Sequence, residues 1–78
     1  MSFYVYILFS ESLQQYYTGS SQDLVKRLHD HNNGWSKHTS KGIPWVLVYS
    51  EIFSTHTEAL KKENVIKKRG AKRFLDSL

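Results

Sequence analysis

The sequence predicts an α/β (α+β) fold, a small three-stranded sheet covered by helices with its elements in the order ββαβα(α). Three observations carry this. Phe3 to Phe9 is an unbroken apolar and aromatic run, as expected of a strand buried on both faces. Ser20 with Asp23, and Thr55 with Glu58, each place a hydroxyl three residues ahead of an acid at the start of a stretch with helical spacing. Trp45-Val46-Leu47-Val48-Tyr49 lies between those stretches and reads as a further strand.

The first strand alternates, so Phe3, Val5, Ile7 and Phe9 share one face and Tyr4, Tyr6 and Leu8 the other. Polar residues from Ser10 to Gln15 make a connection, and Tyr16-Tyr17-Thr18 reads as a hairpin partner, with Gly19 opening a turn. The first helix runs from Asp23 to about Asn33 through Leu24, Leu28 and His31, and Gly34 stops it. Ser36 to Pro44 reads as a polar, cationic loop, and the third strand continues weakly to Phe53. The second helix runs from Thr55 to about Arg69 with Gly70 as its C-cap, and Ala71 to Leu78 forms a short last helix carrying Phe74. Strand pairing stays open, because the connection from the second strand to the third can return in either direction.

Seventy-eight residues with one proline and no cysteine predict one compact domain over 1–78, in a reducing, cytoplasmic setting. The amino terminus has no basic n-region, and the longest apolar run is far short of the about 20 residues a membrane span needs. No membrane association is expected. The net charge of +4 is unevenly placed. Up to Thr55 four cations balance four anions, whereas from His56 onward seven cations (Lys61, Lys62, Lys67, Lys68, Arg69, Lys72, Arg73) face three anions. That concentration suits a phosphate backbone, and equally a solvated helix face.

On the second helix the inward stripe passes through Ala59 or Leu60, Glu63, Ile66 and Gly70, so a carboxylate stands where the spacing asks for an apolar side chain. Glu63 therefore needs either a lysine partner or a hard divalent cation. Arg27 and His31, four apart on the first helix, project from one face, where an arginine fork could meet phosphate oxygens and an imidazole could move a proton. The strand tyrosines alone are explained by packing, since a phenol is mostly neutral at pH 7. His29, His31, His38 and His56 lack zinc-site spacing, and there is no GxGxxG, P-loop or nucleophile elbow. Nucleotide-cofactor chemistry is disfavoured.

Taken together these residues resemble the GIY-YIG nuclease superfamily, over nearly the whole chain. The sequence is most similar to its small stand-alone bacterial members and, more distantly, to Slx-type structure-specific nucleases. Tyr4-Val5-Tyr6 stands at Gly-Ile-Tyr, and Tyr17-Thr18-Gly19 at Tyr-Ile-Gly. Arg27, His31-Asn32, Pro44-Trp45 and Glu63 follow at the family's places, while Ser20 stands where excision-repair relatives carry a lysine. The resemblance implies a three-stranded antiparallel sheet flanked by helices, and metal-dependent hydrolysis of phosphodiester bonds in DNA, in preference to RNA, during repair or processing. It implies one Mg²⁺ or Mn²⁺ held by Glu63, Arg27 against the transition-state charge, and Tyr6 or Tyr17 with His31 activating water, His31 itself being a further candidate base. Lys37, Lys41, Lys61, Lys62, Lys67, Lys68, Arg69, Lys72 and Arg73 would hold the nucleic acid. Without a second binding domain, target selection is either low or left to a partner protein. The rival reading is a nucleic-acid-binding adaptor of the same fold with little catalysis, although a pure binder has no physical need for Glu63.

Overall fold

The computed structural model describes residues 2–34 and 37–78, and the side chains of Lys37 and His38 lie outside that description. The strands are β1 (Phe3–Ser10), β2 (Gln15–Ser21) and β3 (Trp45–Phe53). The helices are α1 (Leu24–Asn32), α2 (Lys37–Ser40), α3 (His56–Arg69) and α4 (Ala71–Asp76). β1 lies in the middle of a sheet ordered β2-β1-β3, antiparallel to both neighbours. The expected α+β fold is present, and the pairing that pattern left open is resolved: β3 returns beside β1 rather than beside β2.

A central strand must bury both faces, and β1 does. Val5 and Ile7 pack with Ala59 and Ile66 of α3 and Phe74 of α4. Tyr6 and Leu8 on the opposite face pack with Trp45, Tyr17, Leu47, and Leu24 and Leu28 of α1. The pairing of β1 with β3 slips between Ile7 and Leu8, where Tyr49 and Leu47 are the successive partners and Val48 is the extra residue. On the α3 side, the Tyr49 ring meets Phe74 edge-on at 5.1 Å and its hydroxyl donates to Glu51. Burial, then the bond to Glu51 and its charge, pushes the Tyr49 phenol up to about 12.

Two expectations are corrected at the end of β2. Gly19 does not open a turn; it sits inside β2 opposite Tyr6, and the strand runs on to Ser21. The Tyr6 ring lies across this position: a Cβ on Gly19 would come 2.7 Å from the Tyr6 hydroxyl and 2.9 Å from its ring. Ser20 is therefore a strand residue, and α1 is capped by Asp23 itself, whose carboxylate accepts from Lys26 N at 2.9 Å. At α3 the expected cap is present, with Thr55 Oγ1 accepting from Glu58 N at 3.2 Å. Gly70, with φ of 93°, turns the chain from α3 into α4.

The segment read as a polar loop is pinned over its described residues, 37–44, while Ser36 lies outside the described residues. It contains α2 and ends at the cis Ile43–Pro44 peptide. Trp45 anchors it: Trp45 Nε1 donates to the Thr39 carbonyl at 2.6 Å, and the indole covers Gly42, where a Cβ would clash with it. Asn32 at the end of α1 grips the same residue through its backbone, accepting from Trp45 N at 2.5 Å and donating to Trp45 O at 3.0 Å. An amide bonded on both sides in this way substitutes for a strand partner, and it ties α1 to the start of β3. Asn32→Ala leaves two backbone groups without their partner. It is expected to cost about 2 kcal/mol and to lower the thermal midpoint by about 10 °C, whereas Lys26→Ala, which removes the exposed Lys26–Asp30 pair, should change stability by less than about 1 kcal/mol. Calorimetry of the two variants checks the contrast.

Candidate functional site

Because Gly19 has no side chain, Tyr6 reaches from the central strand across β2, and its hydroxyl is carried toward the edge of the sheet. Tyr6 is 2% exposed. Burial, and then the neighbouring Tyr17 and Glu63, push its phenol far above the usual range, and the Arg27 guanidinium pulls it part of the way back. Tyr17, two residues before Gly19, lies on the same face, its ring 6.4 Å from Tyr6 and 4.7 Å from the imidazole of His31.

His31 has no exposed surface. Its Nε2 is hydrogen-bonded to the Tyr6 hydroxyl at 3.3 Å and its Nδ1 to Thr39 Oγ1 at 3.1 Å. Burial lowers the imidazole pKa, the Arg27 charge lowers it further, and Asp30 opposes them. At neutral pH the ring is therefore uncharged, with one nitrogen donating and the other accepting. α1 brings Arg27 and His31 to the same place, since residues four apart lie one above the other. Arg27 is partly buried, and its charge acts on both Tyr6 and His31.

Glu63 comes from α3, which runs alongside β1 and β2. Its side chain is 13% exposed and paired to Lys67, one turn on, at 2.7 Å. Of the two alternatives that the sequence left open for Glu63, the lysine partner is present, and the carboxylate also lies near enough to Tyr6 for its charge to raise that phenol. Tyr6, Tyr17, Arg27, His31 and Glu63, expected from four different elements, are brought together.

The nine expected nucleic-acid cations are not. A groove of about 510 Å³ opens between β2 and the α3–α4 corner, lined by Tyr16, Tyr17 and Thr18 on one side and by Lys67, Arg69, Lys72 and Arg73 on the other. Ala59 and Ile66 define the buried stripe of α3, so Lys61 and Lys68 project from the opposite, exposed face. Lys62 turns to Glu51 at 3.7 Å and lies over the Phe74 ring at 5.1 Å, where it serves packing. Lys41 stands exposed between α2 and β3. The Lys37 side chain lies outside the described residues.

Two contributors were not singled out by sequence. Thr39 is 1% exposed and sets the far nitrogen of His31, yet it stands among polar residues with nothing to mark it. The clearance over Gly19 had only the isolated glycine within a strand pattern as its signal.

The family model described as the GIY-YIG catalytic domain matches residues 2–74. A UPF0213 protein of Staphylococcus saprophyticus is 50% identical over 52 residues, which is 65% of this chain and 63% of that one. A UPF0213 protein of Clostridium perfringens is 44% identical over 66 residues, 83% of this chain and 70% of that one. The solution NMR structure of a UPF0213 protein from Bacillus halodurans superposes with a TM-score of 0.60 at 32% identity, covering 99% of this chain and 84% of that one. With that family model matched over residues 2–74, the chain belongs to the GIY-YIG family.

Proposed function

We propose that this protein is a divalent-metal-dependent endonuclease that hydrolyses phosphodiester bonds in DNA. The observation that carries the reading is the convergence of Tyr6, Tyr17, Arg27, His31 and Glu63 on one place beside a cationic groove. No packing requirement calls for a carboxylate, a guanidinium and a buried phenol-imidazole pair together.

Among the described residues there is no group of three or more His, Cys, Asp or Glu that could form a closed metal cage. A single carboxylate with phenol oxygens nearby is a hard-oxygen donor set. It fits Mg²⁺ or Mn²⁺, which keep several waters and take their remaining ligands from substrate phosphate oxygens. Glu63 would hold such an ion, and the ion would supply neutralisation of charge on the phosphate.

The chain's own residues do the rest. Tyr6 is held neutral by burial, so it is a relay rather than a standing base. With His31 Nδ1–H donating to Thr39 Oγ1, Nε2 accepts from the Tyr6 hydroxyl, leaving a Tyr6 lone pair for a water molecule. As that water loses its proton to Tyr6 Oη, the phenol proton passes to His31 Nε2. His31 is enclosed and has both nitrogens engaged, so it accepts the proton through Tyr6 and does not touch the water itself. Tyr17 covers the imidazole and bounds the groove, which suits it to positioning the attacked phosphate. Arg27 faces the negative charge that builds on the phosphate oxygens. Lys67, Arg69, Lys72 and Arg73 hold the backbone that enters the groove.

The test is cleavage of single-stranded, duplex and branched DNA, and of RNA, with Mg²⁺ or Mn²⁺. Glu63→Gln should abolish the metal-dependent rate, and Arg27→Ala should lower it by about 10²- to 10³-fold. Absence of cleavage by the unaltered protein on every substrate, or undiminished cleavage by Glu63→Gln, sinks the reading; salt-dependent DNA binding that survives both substitutions would then favour the adaptor. Tyr6→Phe should lower the rate by about 10²-fold or more with the fold retained, and Tyr17→Phe should cost less. The lowered pKa of His31 gives a pH signature. The unfolded chain takes up this proton below about pH 6.5 while the folded one resists it, so stability is complete above that pH and falls as the solution is acidified. Thermal midpoints across the acid range should decline less steeply in His31→Gln, and an unchanged slope would contradict the neutral, enclosed imidazole.

A further inference from the structure

Lys67 stands at the meeting of two features. Its ammonium is 2.7 Å from Glu63 Oε2, while more than half of its side chain, 55%, remains exposed on the rim of the groove. Its carboxylate partner is enclosed and its own stem is free. A lysine one turn after a glutamate makes an ordinary helical pair, but here the acid is the one that the proposed chemistry needs.

We propose that Lys67 is a placeholder for the divalent ion: it neutralises Glu63 in the metal-free protein, and on metal binding swings into the groove to take a backbone phosphate. The inference rests on Glu63 being the metal ligand. A doubly charged ion on the carboxylate leaves the ammonium with like charge at contact distance and no partner, so it must move. Its exposed stem allows this without disturbing the core. The other groove cations, Arg69, Lys72 and Arg73, repel it from a bare groove and are themselves neutralised once a phosphate backbone is present. Metal and nucleic acid therefore assist each other, because each removes the reason for Lys67 to stay where the other displaces it from.

Lys67 is thus a positioning residue, and the readout is metal affinity rather than cleavage. Mn²⁺ binding is followed by loss of the free-ion paramagnetic resonance signal, with Glu63→Gln as the reference for non-specific sites. Lys67→Gln should bind Mn²⁺ about fivefold more tightly than the unaltered protein, and Lys67→Arg, which keeps the charge, should restore the weaker binding. A short oligothymidylate with phosphorothioate linkages should tighten Mn²⁺ binding to the unaltered protein and do so less in Lys67→Gln. Equal Mn²⁺ affinity in the unaltered protein and Lys67→Gln, with Glu63→Gln weaker than both, overturns the placeholder and leaves the metal site standing. Absence of Glu63-dependent Mn²⁺ binding in every variant overturns both.

Discussion

An imidazole enclosed from water must find a partner for each nitrogen, and that demand at His31 organises this protein. One partner is the Tyr6 hydroxyl on the central strand, and the other is Thr39 in the segment between α1 and β3. Fixing Thr39 fixes the carbonyl that receives the Trp45 indole, and Trp45 begins β3 while Asn32, next to His31, holds its backbone. Helix, connection and strand are thus registered against one another by a short chain of polar contacts. Burial of unpaired polar atoms would be costly, and no described buried side-chain nitrogen or oxygen lacks a partner.

The two sides of the sheet differ in what they bury. The α3 side of the sheet is apolar, with Val5, Ile7, Ala59 and Ile66 fully buried. The α1 side contains the phenols and the imidazole, and it extends to the edge only because Gly19 leaves room for the Tyr6 ring. α3 then contributes Glu63 from the other layer at that edge. A small sheet has few places where both layers meet, and the edge of β2 is one of them.

Sequence reading reached the parts governed by local rules. The apolar run of β1, the Thr55 cap and the Gly70 stop are set by residues within a turn or two, and each was legible. Glu63 was legible as a conflict, a carboxylate in an apolar stripe, and its low exposure is the structural form of that conflict. Gly19 was read as a turn because a glycine's local meaning is flexibility. Its role here is clearance for a side chain thirteen positions earlier in the chain. Thr39 and the division of the lysines depend on which faces meet across the fold. Helical spacing sets Lys68 opposite the buried stripe, but only the packed fold puts Lys67 against Glu63 on the rim of the groove.

An antiparallel sheet of three strands leaves two edges, each with backbone groups able to pair with a strand from another molecule. The edges differ in chemistry. β3 presents Val46, Val48 and Ile52 with substantial apolar exposure, whereas β2 is flanked by four cations from the α3–α4 corner. Like charges from two copies would oppose each other across β2, so that edge resists self-association. The cations proposed to hold a polyanion thus have a second effect in its absence, keeping the β2 edge open and directing any strand addition to the far side of the sheet.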